Sequence, residues 1–110
     1  NALGYSLTNL TDRHEEALAL ITKALILMPE SFHIIDSMGW VLFHLGKLDD
    51  SLKYLSKAYS MVRDPEIAAH LIEVLWLLGQ QTEAKELLEK AMKEFPADVR
   101  LKSVRDRFDL

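Results

Sequence analysis

The sequence predicts an all-α fold made of repeated pairs of antiparallel helices. The strongest observation is an internal repeat, because Leu45-Gly46 recurs as Leu78-Gly79, 33 residues later, and Ala58 recurs as Ala91 at the same offset. The second observation is that the 110 residues include only four glycines and three prolines. That number is small for a turn-rich β fold. With 49% hydrophobic residues, the chain is also too apolar to be disordered.

Composition excludes several classes of function. Thirteen Lys and Arg against seventeen Asp and Glu give a net charge of −4, whereas a nucleic-acid-binding domain usually carries a basic stripe. The chain has no cysteine, so disulfides and thiolate metal sites are excluded. Its longest apolar runs, such as residues 74–78, are far shorter than the ~18 residues of a membrane span. We therefore expect no nucleic-acid partner and no direct insertion into a membrane.

The central repeat shows how each unit is built. Ser31 is a suitable N-cap for a first helix that extends to Leu45, and Gly46 ends it. A second helix is expected from about Asp49 to Val62. The apolar stripe of the first helix follows the spacing of a buried face, and its members are Ile35, Met38, Gly39 and Leu42. The connections are short, so consecutive helices are antiparallel neighbours.

The following segment repeats this organisation. Asp64 precedes Pro65, which suits the first position of a helix, and Gly79 ends that helix. Thr82 is predicted to cap the second helix, which continues to Phe95. Small residues are expected where two helices cross closely, and they are Gly4, Ala17, Gly39, Ser51, Ala58, Ala84 and Ala91. Larger side chains at these positions would force the helices apart.

The predicted organisation is one domain over residues 1–110. It comprises a truncated first repeat (1–31), a second repeat (32–64), a third repeat (65–97) and a capping helix (98–110). Asp98 is the expected cap of the last helix, while Lys102, Arg105 and Arg107 are expected on its solvent-facing side. We also expect the chain to be a fragment of a longer protein with further repeats upstream.

This spacing resembles the tetratricopeptide repeats (TPR), a family with 34-residue helix–turn–helix units. The matching residues are Leu3, Gly4, Ala17, Ala24 and Pro29 in the first unit, Met38, Gly39, Gly46, Ser51 and Ala58 in the second, and Gly79, Ala84, Ala91 and Pro96 in the third. The resemblance implies a right-handed α-solenoid whose first helices line a concave groove. It also implies a protein-interaction scaffold rather than an enzyme. Asp12, Arg63 and Ile72 depart from the pattern and leave the local geometry open.

A finer resemblance concerns the compartment. The runs 1–5, 36–40 and 64–70 are similar to the C-terminal repeats of TPR lipoproteins from Gram-negative bacteria. That group tethers or presents partner proteins, which implies an adaptor at the periplasmic face of the outer membrane. Without this finer resemblance, a cytoplasmic location is expected.

The TPR resemblance places one polar and aromatic stripe in the groove. The predicted peptide-binding residues are Tyr5, His33, Asp36, Trp40, His44, His70 and Glu73. Trp40 is either a binding anchor or a half-buried packing residue. The same two alternatives apply to Phe43 and Tyr5. A structural role is favoured for Trp76. For Glu66, His70 and Glu73 the alternatives are an ordinary polar lining, direct peptide contact and, least favoured, a zinc site.

Other chemistry finds no support in the sequence. It contains no phosphate-binding loop, no HExxH and no nucleophile elbow, so we expect neither an enzyme nor a cofactor. The carboxylate clamp of TPR co-chaperones is rejected, because Asp36 and Glu73 would repel a terminal carboxylate and only Asn9 fits. Two functions remain open. One is a scaffold that binds a protein or peptide in the groove, with a preference for neutral or basic segments. The other is a structural or self-associating segment whose binding site lies upstream.

Overall fold

The computed structural model describes residues 13–110, which form α-helices joined by short turns. Their bounds are α1 His14–Leu27, α2 Phe32–His44, α3 Leu48–Met61, α4 Pro65–Leu77, α5 Gln81–Glu94 and α6 Val99–Phe108. None of the residues in 13–110 is in a β-strand. The prediction of an all-α fold is therefore confirmed. The predicted roles of Leu3, Gly4, Tyr5, Asn9 and Asp12 lie outside the described residues.

The helices fall into two compact units that divide after Val62. Unit 1 contains α1 to α3, and unit 2 contains α4 to α6. That successive repeats stack into a right-handed solenoid stays a prediction, as do the four predicted segments of the chain. In the part described, no helix has the length and apolar character needed to cross a bilayer.

The repeat predicted from the sequence is visible in the backbone. α2 and α4 each have 13 residues, whereas α1, α3 and α5 each have 14. The turns are also equivalent, since Gly46 and Gly79 have φ angles of 78° and 83°. After each glycine the chain closes back on the helix, with Lys47 N donating to Leu42 O and Gln80 N donating to Leu75 O, both at 2.9 Å. Glycine is needed at both turns because other residues rarely adopt a positive φ.

In unit 1, α2 packs against both α1 and α3. The α1–α2 core is apolar and consists of Ala17, Ile21, Ile34, Met38, Val41 and Leu42. On the α3 side, Gly39 lies against Leu55, and the Ser51 hydroxyl donates a 2.6 Å hydrogen bond to Gly39 O. Ser51, Leu55 and Ala58 are all fully buried. The prediction that small residues mark close helix crossings is confirmed here.

In unit 2, α4 packs against α5 and α6, and α5 also contacts α6. Every residue of α4 from Ile67 to Leu75 is buried. The buried residues of the partner helices are Ala84, Leu88, Ala91, Leu101 and Val104. The last helix thus contributes to the core of unit 2 while most of its charged residues remain exposed. This arrangement suits a helix that caps a stack of repeats.

Two of the three predicted N-caps, Ser31 and Asp98, are confirmed, and Asp64 is a further cap that was not predicted as one. Ser31 accepts a hydrogen bond from Ile34 N, Asp64 accepts from Glu66 N and Ile67 N, and Asp98 accepts from Leu101 N. The prediction for Thr82 is wrong, because α5 begins one residue earlier, at Gln81. The physical reason is the glycine turn: after Gly79 the chain closes directly into the helix, which leaves Thr82 inside the first turn. α3 begins at Leu48, within one residue of the predicted start at about Asp49.

Removing one of these caps provides a test of unit 2. We expect Asp64→Ala to lower the free energy of unfolding by about 1 kcal/mol, because two N–H groups of the first turn of α4 lose their acceptor. Urea denaturation followed by circular dichroism measures this loss. Asp64→Asn is the matched control, since its side-chain oxygen retains the acceptor. An equal loss in both variants would contradict a capping role.

Candidate functional site

The predicted binding stripe of unit 1 lies along α2. His33, Asp36, Trp40 and His44 follow one another at three- or four-residue steps, so they share one helix face. Their exposure differs along the helix. His33 and His44 are exposed at its two ends, Trp40 is half-buried, and Asp36 is buried. The predicted stripe is therefore open to solvent at its two ends and enclosed at Asp36.

Aromatic rings gather at the C-terminal end of this stripe. The Trp40 and Phe43 rings stack, with centroids 4.6 Å apart and planes within 7° of parallel. The His44 ring meets Trp40 edge-on at 5.0 Å and stacks on His14 of α1 at 5.1 Å. We call these four residues the aromatic cluster. It joins α1 to α2 and offers a large amphipathic surface of the kind found at binding hot spots.

That His14 belongs to this cluster was not predicted from the sequence. It could have been, because two antiparallel neighbouring helices place the start of α1 beside the end of α2. The Nδ1 atom of His14 is buried and has no hydrogen-bond partner in the described part of the chain. Tyr5, the predicted residue nearest the truncated end, lies outside the described residues.

The predicted stripe of unit 2 lies along α4 and is largely enclosed. His70 and Glu73 are both buried, and Glu66 is half-buried. Two arginines of α6 reach the acidic residues. Arg107 donates to Glu73 Oε1, and Arg100 Nη1 lies 3.1 Å from Glu66 Oε1. Glu66 and Glu73 are seven residues apart, as are their partners, so α6 is held to α4 by two equivalent ion pairs.

Two opposing effects act on the pKa of the Glu73 carboxyl. Burial raises its pKa above the ordinary value of 4.5, and this effect is the larger one. The Arg107 guanidinium and the nearby His70 oppose part of that rise. Glu73 thus has a buried carboxyl whose charge is stabilised mainly by one arginine.

These contacts correct the predicted electrostatics. Arg107 is exposed on the last helix, as predicted, but its guanidinium also contacts Glu73, and its Cζ atom lies 5.3 Å from the centroid of the Phe108 ring. Phe108 in turn approaches Trp76, with ring centroids 5.5 Å apart. The two acidic residues of the α4 stripe, Glu66 and Glu73, are therefore already paired within the chain. Trp76 has the packing contact that the sequence analysis favoured for it.

A metal site gains no support from this geometry. Among residues 13–110, no three His, Asp or Glu side chains are grouped so that they could hold a metal ion. In the stripe that suggested zinc, Glu66 and Glu73 are each engaged with an arginine. The two remaining alternatives for these residues are a structural lining and direct contact with a peptide.

Comparison with known proteins identifies a relative that contains TPR repeats. The chain is 49% identical over 73 residues to the TPR repeat-containing protein PA4667 of Pseudomonas aeruginosa. The resemblance to the tetratricopeptide repeats is confirmed. The alignment covers 66% of this chain but only 12% of the relative. No family model matches the chain.

The relationship supports a general role in protein interaction. TPR units are helical scaffolds that bind proteins and are generally not enzymes. The first property agrees with residues 13–110, whose regular structure is entirely α-helical. The chain spans about an eighth of the length of this relative, so its own partner and the residues that bind it have to be argued from its structure.

Proposed function

We propose that this chain is a scaffold that holds a peptide, or an exposed segment of a partner protein, against the aromatic cluster of unit 1. The stacked pair of Trp40 and Phe43 is the observation that carries the proposal. Half-buried aromatic rings offer a large contact area with few rotatable bonds, so little conformational entropy is lost when a ligand packs on them.

The surrounding packing supports this assignment. Trp40 and Phe43 project from a helix whose opposite residues Met38, Val41 and Leu42 are buried in the unit 1 core. His44 packs edge-on against both rings, and His14 stacks on His44. A surface fixed in this way is organised before the ligand arrives, which lowers the entropic cost of binding.

The ligand chemistry follows from the charges that remain. Because Glu66 and Glu73 are paired with arginines, attraction of a basic segment is weaker than the sequence alone implies. Apolar or aromatic anchors should therefore contribute more to affinity than charge does. That His33, Asp36, Trp40, His44, His70 and Glu73 form one continuous groove with Tyr5 stays a prediction.

Replacing Trp40 tests this site. Peptides selected from a random phage-displayed library on the immobilised chain would be titrated by fluorescence anisotropy. We expect Trp40→Ala to weaken their binding by about 30-fold, since a central tryptophan contributes about 2 kcal/mol or more. Trp76→Ala is the matched control, because Trp76 packs on Phe108 in unit 2. Circular dichroism would confirm that both variants keep their helix content.

Two results would contradict the proposal. One is equal binding by wild type and Trp40→Ala, which would place the site on another surface. The other is a library that yields no peptide above background, which would favour the structural role of the chain.

We further infer an adaptor role in the bacterial cell envelope, on the strength of the resemblance to TPR lipoproteins. The relative from Pseudomonas aeruginosa is bacterial, and the finer resemblance implies the periplasmic face of the outer membrane. Fractionation of cells that express the whole protein would test it. Recovery in the cytoplasmic fraction would contradict an envelope role and would leave peptide binding by the aromatic cluster unaffected.

A further inference from the structure

The C-terminal half of α1 exposes large apolar side chains. Ile26, Leu27 and Met28 are 74%, 81% and 59% exposed, respectively. They surround the last turn of α1, so this end of the helix is apolar on more than one side. The short connection to α2 leaves this apolar end uncovered by the described residues.

Comparison of equivalent helices shows that α1 is the most apolar of them at these positions. The position of Ile26 corresponds to Ser60 in α3 and Lys93 in α5, and that of Thr22 corresponds to Ser56 and Glu89. Leu27 corresponds to Met61 and Glu94, and Ala19 to Lys53 and Glu86. At all four positions α5 therefore has a charged side chain, whereas α1 has a neutral or apolar one. The fold itself does not require an apolar residue at these positions.

A groove adjoins this apolar end of α1. Its walls are Leu18, Thr22, Leu25 and Ile26 of α1 and Asp50 and Tyr54 of α3, and its floor is Met38 and Leu42 of α2. The cavity has a volume of about 450 Å³. Its lining is mainly apolar, and it opens on the same side of unit 1 as Ile26. A protruding apolar helix end and an apolar recess thus lie side by side.

We propose that the groove is occupied by α1 of a second copy of this chain. When a protrusion and a complementary recess adjoin on one surface, a two-fold axis between them places each protrusion in the recess of the other copy. The axis would pass near Thr22, with the two α1 helices antiparallel. Leu18 of one copy then lies opposite Ile26 of the other, and Ala19 lies opposite Leu25.

The area of this contact is sufficient for a weak dimer. With 14 residues, α1 is about 21 Å long and about 10 Å wide, so half of its surface is roughly 330 Å². Each copy would bury one such helix face and the smaller surface of the groove, so the two copies together would bury roughly 900 Å². This total lies below the range for stable specific interfaces, about 1,200–2,000 Å², and is of the size found in weak, transient complexes. We therefore expect association to be weak and to increase with protein concentration.

Sedimentation velocity over a concentration range from micromolar to hundreds of micromolar tests the dimer. Ile26→Lys should weaken association at least tenfold, because it places one charge in each groove. Ser60→Lys is the matched control, since Ser60 is the exposed equivalent in α3, and association should be unchanged. Both variants should fold, because α5 carries Lys93 at this position.

Cysteine cross-linking tests the position of the axis. The chain has no cysteine, so Thr22→Cys would introduce a single thiol at the predicted two-fold axis. Mild oxidation should convert it to a disulfide dimer at least tenfold faster than Ser56→Cys, its equivalent in α3. Disulfides form when two Cα atoms approach to about 4.4–6.8 Å.

Three outcomes would overturn the proposal. A wild-type chain that remains monomeric at hundreds of micromolar excludes a second copy as the occupant. Equal weakening by Ile26→Lys and Ser60→Lys excludes this surface. A dimer in which Thr22→Cys and Ser56→Cys cross-link at the same rate excludes the antiparallel arrangement of α1.

Discussion

Leu55→Ala is expected to lower the free energy of unfolding of unit 1 by about 2–5 kcal/mol. Leu55 is fully buried on α3 and fills the space that Gly39 leaves on α2. Truncation would remove apolar contacts and leave a cavity between two helices that can close only partly. Urea denaturation followed by Trp40 fluorescence, in a Trp76→Phe background, reports this change because Trp40 lies in unit 1.

The same contact predicts a coupling between the two residues. A Cβ added at Gly39 would lie 2.6 Å from Leu55 Cγ. Gly39→Ala alone gains about 0.5–1 kcal/mol in helix propensity but loses about 1–3 kcal/mol to overpacking, so a net loss is expected. In the Leu55→Ala background the added methyl group contacts fewer side-chain atoms, so the loss of stability caused by Gly39→Ala should shrink or become a gain. Additive effects of the two substitutions would contradict a direct contact.

The sequence was sufficient to predict the helices because the repeat constrains them several times over. Gly46 and Gly79 are turn glycines at equivalent positions, and each is followed by a second helix of the same length. Asp64 and Asp98 combine cap chemistry with a position directly before a helix. Thr82 shows the limit of such reasoning: its residue type suits a cap, but the preceding glycine turn already determines where the helix begins.

The candidate site was less predictable because it depends on contacts between side chains distant in sequence. A helical stripe identifies which residues share a face, and this placed Trp40 and His44 together correctly. It does not identify what covers that face. Glu73 was assigned to an open groove and Arg107 to solvent, yet the two are paired. Applying the 34-residue period to charges would have suggested both this pair and Glu66–Arg100.

The ion pair of Glu73 and Arg107 leads to the second prediction with a large effect on stability. Arg107→Ala is expected to lower the free energy of unfolding of unit 2 by about 1–3 kcal/mol at pH 7, since it leaves the carboxylate of Glu73 buried without its cation. The loss should be smaller than for a fully buried pair, because the Arg107 side chain is 52% exposed and screened by water. Urea denaturation followed by Trp76 fluorescence, in a Trp40→Phe background, measures it.

The pH dependence follows from the direction of the Glu73 pKa shift. Its pKa is raised in the folded state, so the folded protein binds this proton more tightly than the unfolded chain. The contribution of Glu73 to stability is therefore fully present below pH 4.5 and is lost as pH rises through the folded-state pKa. Without Arg107 that pKa should rise further. The cost of Arg107→Ala should then be small at pH 4 and largest at neutral pH.

Glu73→Gln separates this electrostatic effect from the packing of Arg107. An amide of the same size has no charge to bury, so the single substitution should leave unit 2 as stable as the wild type at pH 7, or more stable. In that background Arg107→Ala should cost much less, and its cost should no longer depend on pH between 4 and 7. If the cost of Arg107→Ala is the same with and without the Glu73 carboxylate, then α6 is held to α4 by Leu101, Val104 and the Phe108–Trp76 contact, and the ion pair contributes nothing to the docking of the last helix.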